Sequence, residues 1–423
     1  PGPIQGDMVH PFLRRRAGKE VVDYPSTAVQ EVLERTLGVP IFQEQVIKLA
    51  MVAAGFSGGE ADALRRAMSS WKRHGQLDQF RHKLVGGMVA RGYEAAFAER
   101  LYQQILGFGE YGFPESHAAS FAVLTYASAW LKFHYPAAFY CAILNSQPMG
   151  FYSASQLVQD ARRHGLQVLP VCINRSVWEH SLETTDTAEL ALRLGLRQVK
   201  GVRQDLIQGL LAQRPPQGFT DLPQIQSLHM AKGQLESLAS ANALSCFSGH
   251  RYQARWQLLD NHQDLPLLRE IRETQPDQLP APAALDALTE DYASLHLSLE
   301  QHPMALLRHA GLLKGCLSTS QMAHKPHQSL VTAAGLVTGR QRPGTASGVT
   351  FITLEDETGN TNLVVWQGTA RAQRQAYLNA KILKVKGILE RDPDSQVIHI
   401  IAGKLIDCSH LLEQLKVSSR DFH

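Results

Sequence analysis

The hydrophobic period of this chain changes near Ser329, and that change constrains the fold more than any other feature. Downstream, LVTAAGLVTG, VTFITLED, TNLVVW, ILKVKGILE and QVIHIIAG read as strands, and a helical piece from Thr369 to Tyr377 lies between the third and fourth. Five strands with a helix in that gap is the order expected of an OB-fold barrel, here over residues 329–410, with a short tail at 411–423. Upstream, from Ser26 to about Gly165, the spacing is helical: Val29, Val32 and Leu33, then Val46, Ile47, Leu49 and Ala50, then Phe97, Leu101 and Ile105. A chain of 423 residues with two periods exceeds one compact core and implies two to four domains. The expected class is multidomain and mainly α, closed by a C-terminal β-barrel.

Between these regions, Val168 to Gly195 reads as a short extended segment. Two small helical units follow, the first after the turn Val199-Lys200-Gly201-Val202 and the second over 234–249. Residues 251–328 form a linker and helical region, with a helix at Tyr252–Leu259 and a polar stretch broken by Pro276, Pro280 and Pro282. The expected domains are therefore 1–165, 166–250, 251–328 and 329–410. The chain opens at Pro1-Gly2-Pro3 without a methionine, and the expectation is a piece of something larger.

Net charge is only +3, but Arg14, Arg15, Arg16, Lys19, Arg65, Arg66, Lys72, Arg73, Arg81 and Lys83 load the first part with cations. That asymmetry allows a polyanion partner. Five scattered cysteines form no CxxC pair, so neither a disulfide framework nor a zinc site is expected, and a reducing, cytoplasmic location is. The uncharged run Ala118–Leu131 is shorter than the ~20 residues of a membrane span.

Three stretches suggest phosphate chemistry. GEYGFPESHAASF, 109–121, places Ser116 and His117 at the mouth of a helix expected to begin with Ser116 as N-cap and to run to His134. A helix N-terminus attracts phosphate, and Ser116 and His117 add donors, although a plain cap and a surface histidine explain the same residues. ADALRRAMSSWKRHG sets Leu64, Met68 and Trp71 on one face and Arg65, Arg66, Lys72 and Arg73 around it. A second basic cluster, FLRRRAGKE, contains Arg14 and Arg15. At Lys200-Gly201 the turn resembles a helix-hairpin-helix, in which glycine lets backbone N–H groups reach a DNA phosphate without reading sequence. The barrel offers Phe351, Trp366, Arg340, Arg342 and Lys386 for single strands, or serves protein contact. No Walker A loop, HExxH or G-x-S-x-G occurs, and no Asp-x-Asp pair reads as a holder of two Mg²⁺. Asp356, in LEDETGN, reads as a turn former.

PGPIQGDMVHPFLRRRAGKE, GVPIFQEQVIKLAMVAAGFSGGEADALRRAM, GFGEYGFPESHAASFAVLTYASAWLKFHYPAAFYCAILNSQPM and LSLEQHPM together resemble bacterial C-family DNA polymerases, the family of the DNA polymerase III alpha subunit. Pro114-Glu115 before Ser-His, and the end at SSRDFH soon after the barrel, resemble its error-prone, ImuC-type branch. The resemblance implies fingers, hairpin and OB modules, the C-terminal half of a translesion polymerase that transfers deoxynucleotidyl groups to a primer 3′ end. Its implied Mg²⁺ ions sit on palm aspartates ahead of Pro1, so this stretch alone is expected to be inactive and to hold no metal. Arg65, Arg66, Ser116 and His117 are the implied nucleotide contacts; Arg14, Arg15, Lys72, Arg73, Lys200 and Gly201 are the DNA contacts. Implied partners are primer-template DNA and dNTP, with the sliding clamp and other translesion proteins as further candidates; Gln263-Asp264-Leu265-Pro266-Leu267-Leu268 faintly resembles a clamp peptide. The alternatives are a non-catalytic DNA-binding and partner-docking module, or a replicative alpha-subunit fragment.

Overall fold

The computed structural model describes residues 9–69, 78–108, 114–150, 152–228, 230–259, 278–343, 348–393, 397–412 and 420–421. Lys72, Arg73, Trp71, Pro276 and the stretch from Gln263 to Leu268 lie outside them. The chain divides into two compact units, 1–129 and 130–423.

The first unit is helical: α1 (Val9–Arg16), α2 (Thr27–Leu33), α3 (Gln43–Val52), α4 (Gly58–Ser69), α5 (Asp78–Ala90), α6 (Ala95–Phe108) and α7 (Glu115–His134), which runs on past the boundary. Ser26 starts α2 by accepting the Val29 N–H at 3.2 Å. The apolar spacing then builds one core. Val29, Leu33, Val46, Leu49, Ala50, Leu101 and Ile105 are buried, with Val32, Ile47 and Phe97 packed at its edge. Gln45 is a polar residue at 2% exposure beside this core, and it is fully used. Its carbonyl accepts from Ile41 N and Phe42 N, and its amide donates to Val32 O and Thr36 Oγ1. A buried amide with every bond made ties the turn before α3 to the end of α2. Gly87 is required by proximity: a Cβ there would lie 2.2 Å from the Ala54 carbonyl oxygen. α7 is exposed along its length. None of its residues is buried, and Phe121, Val123, Leu124, Tyr126 and Phe133 are exposed.

The second unit begins with α8 (Pro136–Asn145) and α9 (Ala154–Arg163), followed by β1 (Val168–Leu169), β2 (Ser181–Thr184) and β3 (Leu190–Arg193). β3 is central in this small sheet, parallel to β1 and antiparallel to β2. Helices α10 (Gln204–Ala212), α11 (Leu222–Gln226), α12 (Lys232–Ser240), α13 (Ser245–Ser248), α14 (Arg251–Leu259) and α15 (Ala284–Leu295) follow. Tyr140, Leu144, Val158, Leu192, Ile207, Leu238 and Leu297 share their core. The run 234–249, expected to be one helical unit, is two helices, because Asn242 takes a left-handed φ of 60° between α12 and α13. Arg251 and Asp291, both buried, pair with each other, and Ser298 Oγ completes Asp291 at 2.7 Å.

After α16 (Pro303–His309) and α17 (Thr319–Met322) comes the barrel: β4 (Leu330–Gln341), β5 (Thr350–Asp356), β6 (Gly359–Val365), α18 (Gln367–Ala372), α19 (Arg374–Asn379), β7 (Ile382–Arg391) and β8 (Ile398–Asp407). The pairing β4-β5-β6-β8-β7 closes back on β4, with β6 and β8 parallel, which is the five-stranded OB closure; the short β9 (Arg420–Asp421) lies along β4. The connecting helical piece is broken in two at Gln373. Gly387 lets β7 and β8 approach, since a Cβ there would meet the Ile401 oxygen at 2.2 Å. Asp356 is structural. Its Oδ1 accepts from Thr358 N, Thr358 Oγ1 and Gly359 N, and its Oδ2 from Thr319 N, so the turn is fixed and tied to α17.

Candidate nucleic-acid interface

α7 starts one residue earlier than expected, at Glu115, so Ser116 is inside the helix rather than its N-cap. Its first N–H, that of Glu115, is taken by the Glu44 carboxylate at 2.8 Å. The Glu115 side chain in turn pairs with Arg35 at 2.6 Å. The helix mouth is therefore occupied by a carboxylate on an amide, the usual way to satisfy an orphan donor. Ser116 and His117 are both exposed, and the imidazole lies edge-on to Phe121 with ring centroids 4.5 Å apart.

Arg65, Arg66, Arg14 and Arg15 are each paired with a carboxylate. Arg65 Nε donates to Asp62 Oδ1 at 2.9 Å, and Arg66 reaches Asp62 Oδ2 at 2.7 Å. The Arg65 hydrogen bond holds the Asp62 carboxyl below its ordinary pKa. Arg14 and Arg15 share the two oxygens of Glu20, which they likewise hold below the usual carboxylate range. Arg15 also donates to Leu37 O at 2.8 Å and is half-buried, so part of its role is to pin the chain before β-turn Leu37-Gly38. Exposed pairs of this kind contribute little to stability. What they do here is hold guanidinium groups in place at the surface. Asp62 and Glu20 were legible as neighbours in sequence; Glu44 and Arg35, far from Glu115 along the chain, were not.

In the second unit, Gly201 adopts φ 87°, a backbone state that favours glycine. Gln234, from α12, clasps this turn: its amide donates to Gly201 O and its carbonyl accepts from Arg203 N, both at 2.9 Å. Lys200 is exposed, with its backbone N–H on Ser294 O at 2.8 Å. The turn thus stands at the N-terminus of α10, held from behind by α12, with Lys200 and Gly201 at the surface. Gln234 gave no signal of this in the sequence.

On the barrel, Phe351 and Trp366 are not core; they are 40% and 54% exposed. Registers place Phe351 opposite Val364, Val364 opposite Ile401, Ile401 opposite Ile388, and Ile388 opposite Leu330, an outward apolar row across all five strands. Lys386 and Arg342 are exposed beside this surface, whereas Arg340 is buried and donates to Tyr377 O and Ala380 O, which removes it from any binding role. Aromatic and cationic side chains on an OB surface suit stacking on unpaired bases.

The described residues thus carry three surfaces with phosphate- or base-binding chemistry. The model of the bacterial DNA polymerase III alpha subunit finger domain matches residues 1–92, that of a helix-hairpin-helix motif residues 165–254, and that of an OB-fold nucleic acid binding domain residues 331–407. The error-prone DNA polymerase of Vibrio parahaemolyticus is 60% identical to the chain over 423 residues, covering 100% of it. Over its whole length the chain is similar to error-prone DNA polymerases. That of Idiomarina loihiensis is 56% identical over 426 aligned residues, again covering 100% of the chain. The chain spans 41% of the length of each of these two relatives. The helical first unit, the hairpin turn and the closed barrel agree with this likeness, and no described helix is long and apolar enough to cross a membrane.

Proposed function

We propose that this chain is the nucleotide- and DNA-holding C-terminal half of a cytoplasmic, error-prone translesion DNA polymerase. The observation that carries the reading is the full-length likeness to error-prone polymerases, in which finger, hairpin and OB modules follow one another in a single chain. The domain division 1–165, 166–250, 251–328, 329–410 and the tail 411–423 is part of the same proposal.

Nucleotidyl transfer needs an electrophilic phosphate held in line and its charge offset; divalent metal supplies the second where carboxylates gather to hold it. Among the described residues no group of three or more His, Cys, Asp or Glu is arranged to hold a metal ion. In this reading Mg²⁺ would be held by carboxylates in a part of the polymerase outside these 423 residues. Arg65, Arg66, Ser116 and His117 bind the incoming dNTP through its phosphates. Arg14, Arg15, Lys72, Arg73 and the Lys200-Gly201 turn hold primer-template DNA by its backbone, without reading sequence. The barrel face around Phe351 and Trp366 stacks on unpaired template. The sliding clamp and other translesion proteins complete the partner set.

The test is steady-state incorporation by the full-length polymerase carrying His117→Ala or Arg65→Ala. Losing one charge-assisted hydrogen bond, about 1.5–3 kcal/mol, should weaken nucleotide use by roughly ten- to a hundredfold. Normal incorporation by well-folded variants would remove these residues from the nucleotide site. A full-length protein that fails to extend any primer would remove the polymerase reading itself.

A further inference from the structure

Away from these surfaces, two thiols face each other in the second unit. Cys172 opens the turn 172–176: its N–H donates to Ser176 Oγ at 3.0 Å, and its carbonyl accepts from Ser176 N at 2.7 Å. Cys246 is exposed on α13. The two thiols perturb each other's titration, Cys172 downward and Cys246 upward. The segments that carry them are fixed side by side. Ile173 N donates to Ala243 O at 2.9 Å, and the Asn174 amide exchanges both hydrogen bonds with the Phe219 backbone while approaching Cys246 Sγ at 3.9 Å. Arg214 adds donors to Ile173 O and Ser176 O.

We infer that Cys172 and Cys246 form an oxidisable dithiol pair, a modification site that closes to an intramolecular disulfide on meeting a small-molecule disulfide. The turn is held on three sides before reaction. The environment also divides the two roles. The neighbouring Cys246 pulls the Cys172 thiol below its ordinary range, and the same neighbour raises that of Cys246. Cys172 is then the readier of the two to lose its proton and react. Burial pushes Cys141 and Cys408 the other way, towards inertness.

The chemistry balances as ordinary exchange. The Cys172 thiolate attacks R–S–S–R, forms Cys172–S–S–R and releases RS⁻, which takes up a proton. Cys246 then loses its proton to solvent or to released thiolate and attacks Cys172 Sγ, expelling the second RS⁻. Two thiols are oxidised to one disulfide, and R–S–S–R is reduced to two RSH. In a reducing compartment the pair rests open and records an oxidising episode reversibly.

The probe is hydroxyethyl disulfide at pH 7 with the 423-residue chain, followed by digestion and mass spectrometry. A cross-linked Cys172–Cys246 peptide pair, reversed by dithiothreitol and formed before Cys141 or Cys408 is modified, is expected. Cys246→Ser should stop the reaction at the mercaptoethanol adduct on Cys172. The inference is overturned if neither the cross-link nor that adduct forms, if the cross-links join separate chains, or if Cys172 reacts no faster than Cys141. The wild-type mapping needs no variant to fold, and none of these outcomes depends on polymerase activity.

Discussion

Replacing Gln45 by leucine separates packing from chemistry in the stretch GVPIFQEQ, which resembles the polymerase family and so invites a catalytic role. The structure gives Gln45 a different task. It is buried and makes four hydrogen bonds, two of which, to Ile41 N and Thr36 Oγ1, are closed off from solvent. Leucine has about the same volume but pairs with none of these groups. Each buried group left without a partner costs about 1–3 kcal/mol, and the leucine's own burial offsets part of that, so a net loss of about 2–4 kcal/mol is expected. This is a large share of the 5–15 kcal/mol typical of a folded domain. Gln45→Glu should be at least as damaging at neutral pH, because it turns a donor into a second acceptor facing Val32 O. Urea unfolding, with hydrogen exchange resolved over α2 and α3, reads the loss in the first unit. Below the transition, DNA affinity should stay within about twofold of wild type, since no surface group has changed. A stability loss under about 1 kcal/mol, or normal stability with lost DNA binding, would refute the packing argument.

Three further outcomes follow from other sites. Gly86→Ala, with nothing near its added Cβ, should stabilise α5 by about 0.5–1 kcal/mol, whereas Gly87→Ala should destabilise it by about 1–3 kcal/mol through the Ala54 carbonyl; equal effects in thermal melts would contradict the close approach. His180 is buried, accepts from Gly195 N at 3.1 Å, and is held neutral with a pKa pushed down to about 4 by burial and then by Arg197. Because its folded value lies below its unfolded one, its contribution of about 3 kcal/mol is complete above pH ~6.5 and fades as pH falls towards 4; a His180→Gln variant should show a flatter acid limb of stability, and an identical limb would exclude His180 as the cause. Binding of the chain to duplex DNA should show little sequence preference and weaken steeply with salt, because the counterions released on association gain less entropy in a saltier solution; salt-independent affinity measured by fluorescence anisotropy would remove the phosphate contacts.

Local periodicity made much of the fold readable. The spacing that marks Val29, Leu33, Val46, Leu49, Leu101 and Ile105 as one core depends only on helix geometry, and the five strands depend only on alternation and turn chemistry. Breaks set by one residue's backbone state were harder. Asn242 and Gln373 each split an element read as continuous, because a single φ or ψ decides the break while the hydrophobic pattern runs through it. At the candidate interface the residue types were legible but their partners were not. Charge counting made Arg65 and Arg66 look like surplus cations, whereas Asp62 already pairs with both. At α7 the difference is greater: Pro-Glu-Ser-His suggests an open helix mouth, and only the three-dimensional fold brings Glu44, from α3, onto its first N–H and Arg35 onto Glu115. Glutamate in the first helical turn is favourable beside the helix dipole, so Glu115 needs no ligand to justify it. The nucleotide role proposed for the exposed His117 rests on its place in this stretch of the sequence. The case for nucleotide chemistry at this helix therefore rests on the histidine and the arginines, with the carboxylates serving to place them.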